Sequence, residues 1–319
     1  MHHQKTFSYM ITRRHLRTKV MQALYAQQLD PNDNLTAGES WILKSSQDFQ
    51  LLYITLLDLF AELHTCGHQL YLKNTKKHLT PDQNEVNPKF FSNQALKMLM
   101  ENPKLEALRI KHKLKFWKKH DEYVRLIWDA ITESDVYHAY LEEETTSLES
   151  DKAFLVSLFT NVIAPFERLP EFIEEVNISW MDDIPLVNTI VRNSLKRIDT
   201  LDAVIPHLYK DEEDQKFSLE LFRKVMLNKQ ELQNEIIGRT PNWDPERIAS
   251  LDFTLLLMAL AELLYFPSIP VNVTINEYLE IAKEYATPKS SIFINGILDK
   301  VVKELTEQKR IRKNLRGMQ

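Results

Sequence analysis

The chain has 319 residues, 44% apolar and 27% charged, with a formal net charge of −5; this is a globular composition, with enough chain for two or three domains at roughly 100–200 residues each. Its five glycines, Gly38, Gly67, Gly238, Gly296 and Gly317, fall far below the usual ~7% and lie too far apart for a phosphate loop, a dinucleotide fingerprint or a nucleophile elbow. Cys66 has no second cysteine to pair with, the first residues lead into polar sequence rather than an apolar leader, and the apolar run 253–266 is shorter than the ~20 residues a bilayer requires, so the expectation is an all-α, cytoplasmic protein without a membrane span.

Residues 1–29 carry Lys5, Arg13, Arg14, Arg17 and Lys19 and no acid. Thr12 can cap a helix over 13–29, whose inner stripe is Leu16, Val20, Ala23, Leu24 and Gln27, ending before Pro31. Arg13, Arg14 and Arg17 fall within an arc of about 100° flanking that stripe. Guanidinium groups there suit phosphate, because they stay charged and present a planar fork of donors. A second periodic stretch covers 50–72 (Leu52, Leu56, Leu59, Leu63, Leu70), and 73–94, with Pro81 and Pro88, reads as a connector. His64 and His68 have a zinc-compatible spacing, but no further ligand pair accompanies them, so no metal is expected.

Residues 97–119 hold Lys97, Lys104, Arg109, Lys111, Lys113, Lys115, Lys118 and Lys119 against Glu101 and Glu106. The aromatics of this segment, Phe116 and Trp117, are expected in the core. A helix follows around Tyr123, Ile127, Ala130 and Ile131, and Glu142–Glu144 read as a solvated face rather than paired catalytic carboxylates. The boundary is expected near 150, giving an N-terminal domain 1–150 with an extended insertion and a C-terminal bundle 151–319.

An internal repeat begins there. Phe154, Leu158, Phe159, Val162, Leu169, Ile173 and Trp180 recur 63 positions later as Phe217, Leu221, Phe222, Val225, Leu232, Ile236 and Trp243, without a gap. This predicts a duplicated helix-pair unit, 154–190 and 217–255. Asp244-Pro245-Glu246 is a helix start, and Thr274-Ile275-Asn276-Glu277 is a capping box. Asn295-Gly296 is a hairpin signal overruled by the helical periodicity around it, the glycine being expected to admit a neighbouring helix. A basic run over 300–319 ends the chain.

Arg13-Arg14-His15-Leu16-Arg17 with Val20-Met21-Gln22-Ala23-Leu24-Tyr25-Ala26-Gln27-Gln28 resembles the opening of the NusB family of bacterial transcription antitermination factors. Ala259-Leu260-Ala261-Glu262-Leu263, Ile275-Asn276-Glu277, Glu280-Ile281-Ala282-Lys283 and Phe293-Ile294-Asn295-Gly296-Ile297-Leu298-Asp299-Lys300 resemble its later segments, in order. The likeness covers about 12–29 and 217–305 and leaves the middle as an insertion. It implies two packed helical bundles and no enzymatic activity or cofactor. It also implies binding to single-stranded boxA RNA of nascent ribosomal transcripts together with NusE, within the RNA polymerase antitermination complex. By this resemblance Arg13, Arg14, His15, Arg17, Lys289, Ser290, Ser291 and Phe293 contact RNA, while Tyr25 and Glu262 contact NusE. His15 stands where the family often has arginine, and Ile292 where it often has a basic residue. The alternative is a helical adapter that binds proteins and no RNA. A NusB-like domain also precedes certain ribosomal RNA cytosine methyltransferases, but their catalytic part needs a glycine-rich loop and a reactive cysteine that this chain lacks.

Overall fold

Few glycines and a sustained 3.6-residue apolar rhythm leave the backbone little alternative to helix. The computed structural model describes residues 9–29, 34–76, 88–144, 146–200, 204–238 and 249–318, and among these it contains helices, turns and one isolated bridge between Tyr9 and His207, with no strand. The all-α expectation therefore holds. No helix among the described residues is long and apolar enough to cross a membrane.

The chain divides into two compact units that are discontinuous in sequence. One contains the described residues within 1–10 and 47–208, the other those within 11–46 and 209–319. This replaces the boundary expected at 150: residues 151–208 belong with the middle of the chain, and 11–46 belong with its end.

In the unit built from 11–46 and 209–319, helix Arg13–Leu29 packs on helices Glu212–Leu227 and Ser250–Tyr265. Thr12 caps it as expected, its Oγ1 accepting the His15 N–H at 3.5 Å. Helix Ser250–Tyr265 is the core of the unit: Thr254 to Leu263 are all buried. Helix Val271–Tyr285 starts just after Pro270, one turn before the expected capping box, so Thr274 lies inside the helix and is buried. Pro288 opens the last helix, Pro288–Glu307. Asn295-Gly296 lies within that helix as expected, but a Cβ on Gly296 would meet nothing within 4 Å, so no neighbour approaches there. The basic C-terminal run is docked rather than trailing in solvent. Arg310 pairs with Glu235 (2.5 Å) and Glu231 (3.2 Å), and Asn314 N–H donates to the Pro267 carbonyl at 3.0 Å. Gly317 is required by this docking, since a Cβ there would lie 2.1 Å from the same carbonyl oxygen.

In the other unit, the helix that starts at Leu35 continues from Gln47 to Lys76, well beyond the expected 50–72. Short helices Lys89–Ser92 and Gln94–Met100 replace the end of the expected connector. The two segments of the proposed repeat carry helices at corresponding positions over 148–177 and 212–237. Helix Leu148–Leu158 and the π-turn Phe159–Ile163 match helix Glu212–Leu227, and helix Leu169–Asn177 matches Lys229–Ile237. Asp151 and Asp214, 63 positions apart, are both buried. Asp214 accepts from Arg13, whereas Asp151 accepts the Gln94 N–H at 2.6 Å and the Tyr140 hydroxyl at 2.7 Å. The first copy thus satisfies its carboxylate with a helix N-terminus where the second uses an arginine. Trp243 and the Asp244-Pro245-Glu246 start lie outside the described residues.

Candidate nucleic-acid interface

The first turns of helix Arg13–Leu29 line one wall of an open cleft of about 700 Å³. Its other walls are Ser268, Ile269, Pro270, Val273, Glu277 and Arg316. Arg316 is brought there by the docked C-terminus, and the sequence reading missed it because only the tertiary fold brings it to the first helix.

Each arginine of the first helix already has a carboxylate. Arg13 Nε donates to Asp214 Oδ1 at 2.7 Å, and its Nη2 lies 3.9 Å from Glu213. Arg14 grips Glu277 with two bonds, Nη2 to Oε1 at 2.9 Å and Nε to Oε2 at 3.1 Å. Their side chains are 29% and 42% exposed, so both still face solvent. The Arg14–Glu277 pair is partly exposed on both sides and contributes little, so Arg14 can turn to a phosphate at small cost; Arg13 holds the buried Asp214 and keeps that bond while its exposed side faces solvent.

Arg17 is different. It is 2% exposed and holds Glu262 through two 2.8 Å bonds. Glu262 is fully buried and also accepts from the Thr274 hydroxyl at 2.8 Å and the Tyr278 hydroxyl at 3.1 Å. The Arg17 guanidinium lies over the Phe217 ring at 5.1 Å and the Tyr278 ring at 5.9 Å. Burial alone would lower its pKa, but the Glu262 charge and hydrogen bonds outweigh this and raise it. Burial, then the Glu262 charge, pushes the Tyr278 hydroxyl well above its ordinary range. Arg17 and Glu262 therefore form an internal bridge, and neither the arginine expected at RNA nor the glutamate expected at NusE is open to a ligand in this structure. The pattern held a clue. Val20, Met21 and Leu24 follow Arg17 at i+3, i+4 and i+7, which puts it on an apolar face, and Glu262 is the only acid in the run 253–266.

His15 is half-buried, with Thr12 Oγ1 2.6 Å from its Nδ1. Burial first, then the charges of Lys19 and Arg14, lower its pKa from 6.5 to about 4. It is neutral at pH 7 and offers hydrogen bonds rather than charge. A folded-state pKa below the unfolded one means that its contribution to stability is complete above about pH 6.5 and is lost as the pH falls toward 4. Between pH 7.5 and 4.5 this residue alone should cost about 2 kcal/mol. Denaturant unfolding of His15→Gln should therefore show a shallower acid loss than the parent chain, and equal slopes would contradict this.

The second candidate group does not line the cleft. Lys289 is exposed, and Ser291 and Phe293 are half-buried. Ser290 is buried, with its hydroxyl 2.9 Å from Thr287 Oγ1, and is not open to a ligand in this structure. Tyr25 is exposed on the first helix, as a partner contact requires. His64 and His68 stack on each other, centroids 6.1 Å apart, with the edge of Phe91 against both. Burial raises the Cys66 thiol above its ordinary pKa, which disfavours the reactive thiolate.

Comparison with known proteins bears on this arrangement. Residues 200–303 match the model of the NusB family. The transcription antitermination protein NusB of Salinibacter ruber is 39% identical over 111 residues, 35% of this chain and 69% of that protein. That of Geobacter sulfurreducens is 44% identical over 92 residues, 29% of this chain and 67% of that protein. The chain belongs to the NusB family. The NusB protein of Chloroherpeton thalassium is 39% identical over 102 residues, covering 32% of this chain and 48% of that protein. No solved structure shows significant similarity. The family match starts at residue 200, so most of the unit formed by 47–208 lies outside it.

Proposed function

We propose that this NusB-family chain is a transcription antitermination factor of the cytoplasm that binds single-stranded boxA-type RNA of ribosomal transcripts together with NusE, as part of an RNA polymerase antitermination complex. The observation that carries the reading is the cleft beside the first helix, where Arg13, Arg14 and Arg316 face solvent in a NusB-family chain. Phosphates would draw Arg14 from Glu277 and meet the solvent-facing side of Arg13, neutral His15 would supply hydrogen bonds, and Lys289, Ser291 and the Phe293 ring would extend the contact. Tyr25 is the exposed residue proposed for NusE.

Arg13→Ala with Arg14→Ala should weaken binding of a boxA oligonucleotide by roughly tenfold and flatten its salt dependence by about 1.4, at about 0.7 per single-strand phosphate. Glu277→Gln, which removes the competing carboxylate, should strengthen it. A filter-binding salt series with both variants checks this, and unchanged affinity in both would sink the RNA role of the helix. A second reading, an adapter that holds no RNA itself, is favoured by one observation: every arginine of the first helix already has an acidic partner.

A further inference from the structure

The unit outside the family match carries a separate cationic surface. Helix Pro103–His112 ends in a Schellman motif: the Lys113 N–H donates to the Ile110 carbonyl at 3.1 Å, and the Leu114 N–H to the Arg109 carbonyl at 3.0 Å. The residue that closes it, Lys113, has φ 49°, a left-handed conformation usually left to glycine. A lysine there gives up backbone stability while placing an ammonium group at the helix end.

The turn leads into a cleft of about 430 Å³ lined by Arg109, Lys113, Lys115 and Lys118 on the basic side and by Asp58, Glu62 and Glu106 on the acidic side. Arg109 Nε lies 2.6 Å from Asp58 Oδ1 and its Nη1 3.5 Å from Glu106 Oε2. Its Nη2 is buried and has no hydrogen-bond partner among the described residues. A buried donor without an acceptor is unfavourable, and an anion oxygen entering the cleft would satisfy it. Lys113, Lys115 and Lys118 are exposed and make no ion pair at salt-bridge distance among the described residues, unlike the arginines of the first helix. Lys111 and Lys119 extend the same charge along the surface.

We infer that Arg109, Lys113, Lys115 and Lys118 form a second RNA-contact surface that takes backbone phosphates without reading sequence. The ligand class, a polyphosphodiester, rests on the proposed function; the charge complementarity does not. Three exposed ammonium groups around a guanidinium with an open donor fit successive phosphates along a strand better than one small anion.

The test uses the full chain and fluorescein-labelled polyuridylate, which has phosphates but no boxA sequence. The parent chain should bind it with strong salt dependence. Lys113→Ala, Lys115→Ala and Lys118→Ala together should lower affinity roughly tenfold or more and flatten the slope by about 2, at about 0.7 per phosphate. The melting temperature should fall by no more than a few degrees, since Lys113 and Lys115 have no ion pair to lose and Lys118 acts on Asp58 and Glu62 from beyond salt-bridge distance, and the triple Lys→Arg variant should retain binding. A short boxA oligonucleotide, measured in parallel, reports the cleft of Arg13 and Arg14. If it does not bind while polyuridylate binding still depends on the three lysines, the boxA reading fails and this inference stands. Unchanged polyuridylate affinity in the triple alanine variant overturns it. So does displacement of polyuridylate by polyglutamate at equal charge concentration, which would make the surface a site for acidic protein.

Discussion

Arg17→Ala is expected to destabilise the chain by about 3–5 kcal/mol, because it leaves the Glu262 carboxylate buried without its counter-charge. Glu262 has zero exposure, and the two hydroxyls that remain, those of Thr274 and Tyr278, hydrogen-bond it but cannot neutralise it. Glu262→Ala should cost somewhat less, because the guanidinium between Phe217 and Tyr278 keeps Glu277 at 3.5 Å from its Nη1. The two losses share one cause, so the double variant Arg17→Met with Glu262→Leu should recover most of the stability. Urea unfolding of the four proteins measures this. Additive single losses, or an Arg17→Ala chain as stable as the parent, would remove the bridge from the account. Weaker RNA binding by Arg17→Ala would then reflect a loosened first helix rather than a lost phosphate contact.

Trp117→Ala should have the largest effect in the other unit, about 3–5 kcal/mol. The indole is 1% exposed and stacks on Phe172, centroids 4.0 Å apart and planes 16° from parallel. Its Nε1–H donates to the Thr55 carbonyl at 2.7 Å. Trp117→Phe keeps much of the apolar area and removes the indole bond, while the Thr55 carbonyl keeps its place in the helix, so it should cost less, about 1 kcal/mol. Because Trp117 lies between Lys115 and Lys118, it also ties the lysine-bearing segment to helix Leu35–Lys76. Thermal unfolding followed by near-UV circular dichroism gives the comparison, and equal stability of both variants to the parent would place the indole outside the core.

The helices were legible because their signal is local. Scarce glycine, Thr12 before Arg13 and the spacing of Leu16, Val20 and Leu24 each act within a few residues, and the recurrence of Phe154 and Phe217 carried the same information across the repeat. The aromatics of the segment 111–119 could also be placed, since Trp117 is buried and Phe116 lies edge-on to Trp180, 5.6 Å between centroids. Pairings between distant segments could not be read. Arg14 meets Glu277 across 263 positions and Arg17 meets Glu262 across 245, so the charges counted on the first helix gave no sign of their neutralisation. The unit boundary was hidden for a related reason: residues 11–46 fold with 209–319, and no composition change near 150 reports an association across such a distance. Lys113 was counted as one charge among eight, although its left-handed backbone shapes the turn, because lysine carries no sequence signal for that conformation.

The internal ion pairs narrow the site. Arg17, Ser290 and Glu262 hold the unit together, and Arg13, Arg14 and Arg316 remain for a ligand. The most direct measurement is the affinity of the parent chain for a boxA oligonucleotide and for a scrambled oligonucleotide of the same composition, each with and without NusE. The account predicts preference for boxA that grows when NusE is present. Equal binding of the two oligonucleotides, unaltered by NusE, would contradict it.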